Sequence, residues 1–323
     1  MDVSRFARLV ALISVSFLVM AEVAGQVYPS KPIKVVMMFT PGGVSDGLVR
    51  AVTDKAAIAL GQPFVIEHKP GAAGMLGASL VANGPADGYT LLFGSTGLSV
   101  NATLQRKLQY DLMKDLTPLT LVGSGPWALF VSEDIKATNV KELLAVAKSR
   151  PGVLNYGSVG IGSSPHLLGV MLSRAADLDI THVPYKGAGE IVAAMASGQV
   201  HMTFNSLGPT AQFEKVGRAR LLAVTSAQRL PEAPDVPTMA ESLPGFSREG
   251  WFGFFAPSGV PPAVISRLNA ELTKAIASAE VSEKISRLGF SPRPQTLEEA
   301  SRYIANDVEV WGKAVKASGA TAD

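Results

Sequence analysis

IKVVMMFTPGGVSDGLVRAVTDKAAIALG, residues 33–61, carries a strand, a turn and a helix in that order. Ile33 to Phe39 is a short apolar, β-branched run, the pattern of a strand covered on both faces. Leu48 to Leu60 has apolar residues at helical spacing and stops at Gly61, a residue suited to the left-handed position after a helix. The turn between them has two readings. Gly43-Val44-Ser45-Asp46-Gly47 matches G-x-S-x-G, the nucleophile elbow of a serine hydrolase. Alternatively, Pro41-Gly42-Gly43 brings the bare N–H groups of a helix start against an anion that does not react.

Working outward, Phe64 to Glu67 reads as a second strand, the glycine-rich turn Pro70 to Gly74 leads to a helix through Ala82, and Tyr89 to Gly94 is a third strand. This βαβαβ order implies a parallel sheet with helices on both faces. After an irregular stretch around Leu104 to Thr117, strands are expected at Ala128–Val131, Leu154–Tyr156, Thr181–Val183, Met202–Phe204 and Leu221–Val224. Helices are expected at Val140–Ser149, Pro165–Ala175 and Glu190–Ala196. Trp251 to Ala256 is one more buried strand, and from Pro261 the chain reads as helical, ending with Leu297 to Ala317. Glycine and proline punctuation near Ser124-Gly125-Pro126 and from Pro231 to Gly250 suggests that the chain leaves one lobe, builds a second and returns. Residues 26–126 plus 249–323 then form the first lobe, and residues 127–248 the second.

At the N-terminus, Arg5 and Arg8 precede an apolar run from Leu9 to Ala21, followed by small residues at Val23-Ala24-Gly25. That is the order of a cleavable secretory signal over residues 1–25, too short to span a bilayer comfortably. The mature chain is therefore expected in the periplasm as a soluble monomer. The 323 residues contain no cysteine, so stability must come from packed cores, and a hydrophobic content of 47% argues against disorder. A net charge of +2 without a basic cluster gives no footprint for nucleic acid. No P-loop or dinucleotide-site spacing appears, and the scattered histidines and acids lack metal-ligand spacing, so no cofactor and no metal are expected.

Further blocks of sequence fall in an order that points to one family. Phe39-Thr40-Pro41-Gly42-Gly43 with Asp46, Lys69-Pro70-Gly71-Ala72, and Pro85-Ala86-Asp87-Gly88-Tyr89-Thr90-Leu91 come first. Leu154-Asn155-Tyr156-Gly157-Ser158, Gly162-Ser163 with His166, His182-Val183-Pro184-Tyr185-Lys186-Gly187 and Pro234-Asp235-Val236-Pro237-Thr238 follow. From about Tyr28 to its end the chain resembles the Bug receptors, the periplasmic solute-binding proteins of tripartite tricarboxylate transporters. The resemblance implies an α/β fold of the type II periplasmic-binding-protein kind, with two doubly wound lobes around a ligand cleft. It implies no catalysis and a small carboxylate ligand, whether a di- or tricarboxylate, an amino acid or an aromatic acid. Partners would be the permease subunits of such a transporter. A ligand sensor for a signalling kinase would share the binding chemistry and differ in partner. Where the family often has Asp-Leu-Met-Phe-Asp, this chain reads His201-Met202-Thr203-Phe204-Asn205, which puts an amine contact at Asn205 in doubt and makes that wall less negative.

The residues themselves weigh against the hydrolase. A triad in Ser…Asp/Glu…His order needs a histidine near the chain's end, yet the four histidines are His68, His166, His182 and His201. Ser45 is instead expected as the N-cap of its helix or next to it, with Asp46 in the first turn. A second cradle is expected from Tyr156 to His166, a strand, a flexible loop and a helix start, with Ser164 capping and Pro165 at the first helical position. Pattern and resemblance together assign the ligand to Phe39, Pro41, Gly42, Gly43, Ser45 and Asp46 on the first turn. Ser95 and Thr96 join from the end of the third strand. Ser158, Gly162, Ser163, Ser164 and His166 form the second cradle, and Tyr185, Lys186 and Asn205 complete the set.

Overall fold

The computed structural model describes residues 28–104, 107–208, 219–231 and 233–320. The signal segment read at residues 1–25 lies outside them. The first half opens with β1 (Ile33–Met37), α1 (Val44–Leu60), β2 (Phe64–His68), a 3-10 turn (Ala72–Gly74), α2 (Met75–Ala82), β3 (Thr90–Ser95) and α3 (Gly97–Leu104). A one-turn helix α4 (Leu112–Asp115) then leads into β4 (Leu116–Ser132). The second half runs α5 (Val140–Ser149), β5 (Asn155–Ser158), α6 (Ser164–Ala176), β6 (Thr181–Pro184), α7 (Ala188–Ala196), β7 (Met202–Ser206) and β8 (Ala219–Val224). The chain returns through β9 (Glu249–Pro257), α8 (Pro262–Ala277), α9 (Ala279–Arg287), the short β10 (Ser291–Pro292) and α10 (Leu297–Ser318).

The strands form one curled sheet in the order β2-β1-β3-β9-β4-β7-β5-β6, with β8 and β10 also paired to β4. The expected parallel pairing holds for β2, β1 and β3, and again for β6, β5 and β7. The sheet as a whole is mixed, because β9 lies antiparallel between β3 and β4, and β4 runs antiparallel to β7 and β8. The strand read at Ala128–Val131 is only the end of β4. Its first part pairs with β9 as far as Pro126, and from Trp127 onward it pairs with β7 and β8. Ser124-Gly125-Pro126 is therefore not a break in secondary structure but the stretch of strand that carries the chain from one half to the other. Glycines serve here for space. A Cβ on Gly125 would come within 2.9 Å of the Gly289 carbonyl, and register shifts near Pro118 and Leu121 absorb the irregular residues.

Strand alternation distributes the core. Ile33, Val35 and Met37 of β1 join one apolar cluster with α1 and α8, while Val36 joins another with α2, Trp251 and Ile304. The far part of β4 repeats this, with Leu129 and Val131 in a cluster with α6, and Ala128 and Phe130 in one with α7. Each large buried side chain contributes about 1.5–3 kcal/mol of transfer free energy. Helix α10 spans both halves: Ile304 packs in the first, and Trp311, Ala314 and Val315 pack in the second. Among the described residues no helix is long and apolar enough to cross a membrane.

Candidate functional site

The turn after β1 and the helix start after β6 meet over one cavity of about 380 Å³. From the first half come Phe39, Thr40, Pro41, Gly42, Gly43, Val44 and Ser45, together with Phe252 of β9. From the second come Gly187, Ala188, Gly189 and Glu190, with Trp127, Val159, Pro165, Asn205 and Ser206. An adjoining cavity of about 540 Å³ shares Phe39 and Val159 and extends past Ala72, Ala73, Tyr185 and Lys186.

Two helix N-termini open onto the first cavity without a side-chain cap. The N-cap of α1 is Gly43, in extended conformation, not Ser45, which is the second helical residue. The reason lies in Gly42, whose φ of 84° turns the chain one step earlier than a serine cap would. The N-cap of α7 is Gly187, again with no side-chain hydrogen bond. The N–H groups of Val44 and Ser45, and of Ala188 and Gly189, find no acceptor among the described residues. Such orphan donors, aligned with the positive end of the helix dipole, suit an anion. The two turns touch: a Cβ on Gly187 would run into the Thr40 hydroxyl.

The expected second cradle, Tyr156 to His166, reaches the cavity only through Val159 and Pro165, and its serine caps are bonded within the fold. Helix α6 starts one residue earlier than read, with Ser163 as cap, accepting from His166 N–H at 3.3 Å, and Ser164 inside the helix. Ser163 Oγ also donates to the Gly160 carbonyl at 2.7 Å. Gly162 N–H donates to His166 Nδ1, and its carbonyl accepts from Asn101 Nδ2 in the first half. Ser158 Oγ is fully buried, 2.7 Å from His182 Nε2. The His166 and His182 rings pack at 4.4 Å, and burial pulls both down to about 4, so both are neutral at neutral pH. Neither lines the cavity, although Pro165 of the same helix does.

Other candidates are likewise engaged. Asp46 turns to Arg50 Nε at 3.1 Å and His68 Nε2 at 3.4 Å, while His68 Nδ1 donates to the Phe39 carbonyl. Its Nδ1 is thereby held at Phe39 and its Nε2 faces Asp46 Oδ1, not Ser45. Ser95 Oγ accepts from Gly97 N–H, and Thr96 Oγ1 accepts from Trp251 N–H, tying β3 to β9. Tyr185 and Lys186 line the adjoining cavity, and Lys186 is exposed. Asn205 does line the first cavity. Its Oδ1 accepts from Ser206 N–H, leaving the amide N–H groups without an acceptor among the described residues.

Sequence reasoning missed Thr40, Trp127, the Gly187-Ala188-Gly189 turn and Glu190 as parts of this wall. Glu190 brings a negative charge to the same cavity that Asn205 lines. Gly187-Ala188-Gly189 carried a signal in retrospect: it precedes a helix yet holds no capping side chain, so its N–H groups await another partner.

Residues 48–320 match the tripartite tricarboxylate transporter family receptor. Protein BugT of Bordetella pertussis is 31% identical over 323 residues, covering 99% of both chains. The fold is close to the R. palustris protein Rpa4515 with adipate (TM-score 0.87, 32% identity, 91% of this chain and 99% of that one). The periplasmic binding protein BugD gives a TM-score of 0.86 at 30% identity, over 91% and 99%. MatC from Rhodopseudomonas palustris with bound malate gives 0.85 at 31%, over 89% and 100%.

Proposed function

Because the chain belongs to the tripartite tricarboxylate transporter receptor family, whose solved relatives include periplasmic binding proteins, we propose how it works. It is an exported receptor that closes two α/β lobes on a small carboxylate and hands it to the permease of such a transporter. The lobes are residues 26–126 plus 249–323, and residues 127–248. The mature chain acts as a monomer after loss of residues 1–25, and it does not transform its ligand.

One observation carries this reading. Two uncapped helix N-termini, at Gly43 and Gly187, come from opposite halves of the chain to one cavity that no Lys or Arg lines among the described residues. A carboxylate there would receive backbone N–H groups from both sides, so binding favours the arrangement in which the halves meet. The walls of Phe39, Val44, Trp127 and Phe252 suit the apolar body of an organic acid rather than inorganic phosphate. That two relatives were solved with adipate and malate supports the ligand class.

Thermal melting against mono-, di- and tricarboxylates, amino acids and aromatic acids tests the proposal. At a hundredfold excess over its dissociation constant a ligand stabilises by about 2.7 kcal/mol, which for a chain of this size raises the melting temperature by about 5–10 °C. At least one carboxylate should do so. A panel in which only sugars or cations shift the melt contradicts the reading.

A further inference from the structure

Glu190 is the one charged side chain in the wall of the 380 Å³ cavity among the described residues. It is the third residue of α7, exposed, and its Oε2 accepts the Lys186 N–H at 3.1 Å. No cation pairs with it among the described residues. The acid sits on the first turn of α7 and so offsets the positive end of that helix. Helix α1 has no such neighbour in the cavity, since its own first-turn acid, Asp46, is turned away to His68 and Arg50. The cavity is therefore electrically uneven. It is positive around Gly43 to Ser45 and negative at Glu190.

The geometry points to Glu190 as the specificity-determining residue of the cavity, selecting a carboxylate that also carries an ammonium group and disfavouring dicarboxylates. This inference rests on the carboxylate-binding reading above. A sphere of 380 Å³ is roughly 9 Å across, no more than about one Debye length (~8–10 Å), so a second ligand carboxylate inside it would still be repelled by Glu190. An ammonium at the same place gains a charge-assisted hydrogen bond to the oxygen that the Lys186 N–H leaves free. Asn205, with neutral N–H donors, adds no competing negative charge.

Calorimetric titration of the purified mature protein with four probes of one chain length tests this: hexanoate, 2-aminohexanoate, 6-aminohexanoate and adipate. One of the two amino acids should bind at least about tenfold more tightly than adipate, ~1.4 kcal/mol. Glu190→Gln keeps an acceptor for the Lys186 N–H and removes the charge. It should shift the amino acid-to-adipate ratio by about tenfold toward adipate, leaving hexanoate within about threefold. Adipate binding as well as both amino acids to the unaltered protein overturns the inference, as does a ratio that Glu190→Gln leaves in place. Should no carboxylate bind at all, the carboxylate-binding reading itself falls, and this inference with it.

Discussion

Gly187→Ala puts a methyl group where the start of α7 meets the turn between β1 and α1. Gly187 has φ −166°, extended backbone that any residue adopts, so alanine costs nothing in the main chain. The conflict is with one atom, the Thr40 hydroxyl; Thr40 Cβ itself would lie 3.6 Å away, ordinary contact. Turning that hydroxyl aside costs about 0.5–1.5 kcal/mol, and pushing the two turns apart about 1–3 kcal/mol. If the contact belongs to the arrangement that grips the ligand, the cost appears in binding, as about a 2–150-fold loss of affinity. The unliganded protein should melt within about 0.5 kcal/mol of the original. Thr40→Ala removes the offending atom, so the double variant should regain most of the lost affinity. Titration calorimetry of a carboxylate that binds, over the four members of this cycle, reads the coupling directly. Unchanged affinity in Gly187→Ala, or a double variant as weak as the single one, refutes the reasoning.

Ser163→Ala should cost about 0.5–2 kcal/mol in a denaturant melt because it removes a true cap. Ser45→Ala, with no cap to lose, should stay within about 0.5 kcal/mol and leave no ester-hydrolysing rate behind it to be abolished. Gly43 has φ −84°, and a Cβ there would meet only Ser45 Oγ, at 3.9 Å. Gly43→Val should therefore fold normally yet lose at least about tenfold in carboxylate affinity by calorimetry. Stability should also fall on acidification. His166 and His182, near 4 in the fold and 6.5 otherwise, contribute fully above about 6.5 and lose that contribution as the pH drops to about 4. Asp307, pushed up to about 6 by burial beside Trp251 Nε1, runs the other way: its contribution is complete below 3.8 and lost as pH rises through about 6. Asp307→Asn should therefore stabilise the protein at pH 7 by about 1–3 kcal/mol and steepen the acid-side loss, read from melts between pH 4 and 8.

Much of the fold was legible because β1, apart from Lys34, and the far part of β4 are apolar runs, the mark of strands covered on both faces. The near part of β4 was not, since Pro118, Gly123, Gly125 and Pro126 look like turn residues until β9 and β10 are seen to need the space. Helix α3 escaped for a related reason. Gly97, Leu98, Ser99, Val100, Asn101 and Leu104 are all buried, so it has no amphipathic stripe to read. At the site, Pro41-Gly42-Gly43 was readable because a strand precedes it and a helix follows. At the Ser163 cradle the side chain that announces a helix start also caps it, which leaves fewer open N–H groups there than at Gly43 or Gly187. The start of α7 announces itself poorly, and the lack of a cap is what leaves its N–H groups open.

The central claim is that a carboxylate seats on the helix starts at Gly43 and Gly187. Amide NMR of the isotopically labelled protein, titrated in turn with adipate, malate and 6-aminohexanoate, tests it most directly. A binding carboxylate should move the N–H signals of Val44, Ser45, Ala188 and Gly189 most, and those of Ser163 and His166, already bonded within the fold, little. Shifts centred on Ser163 to His166, with the helix starts of α1 and α7 unmoved, would contradict it.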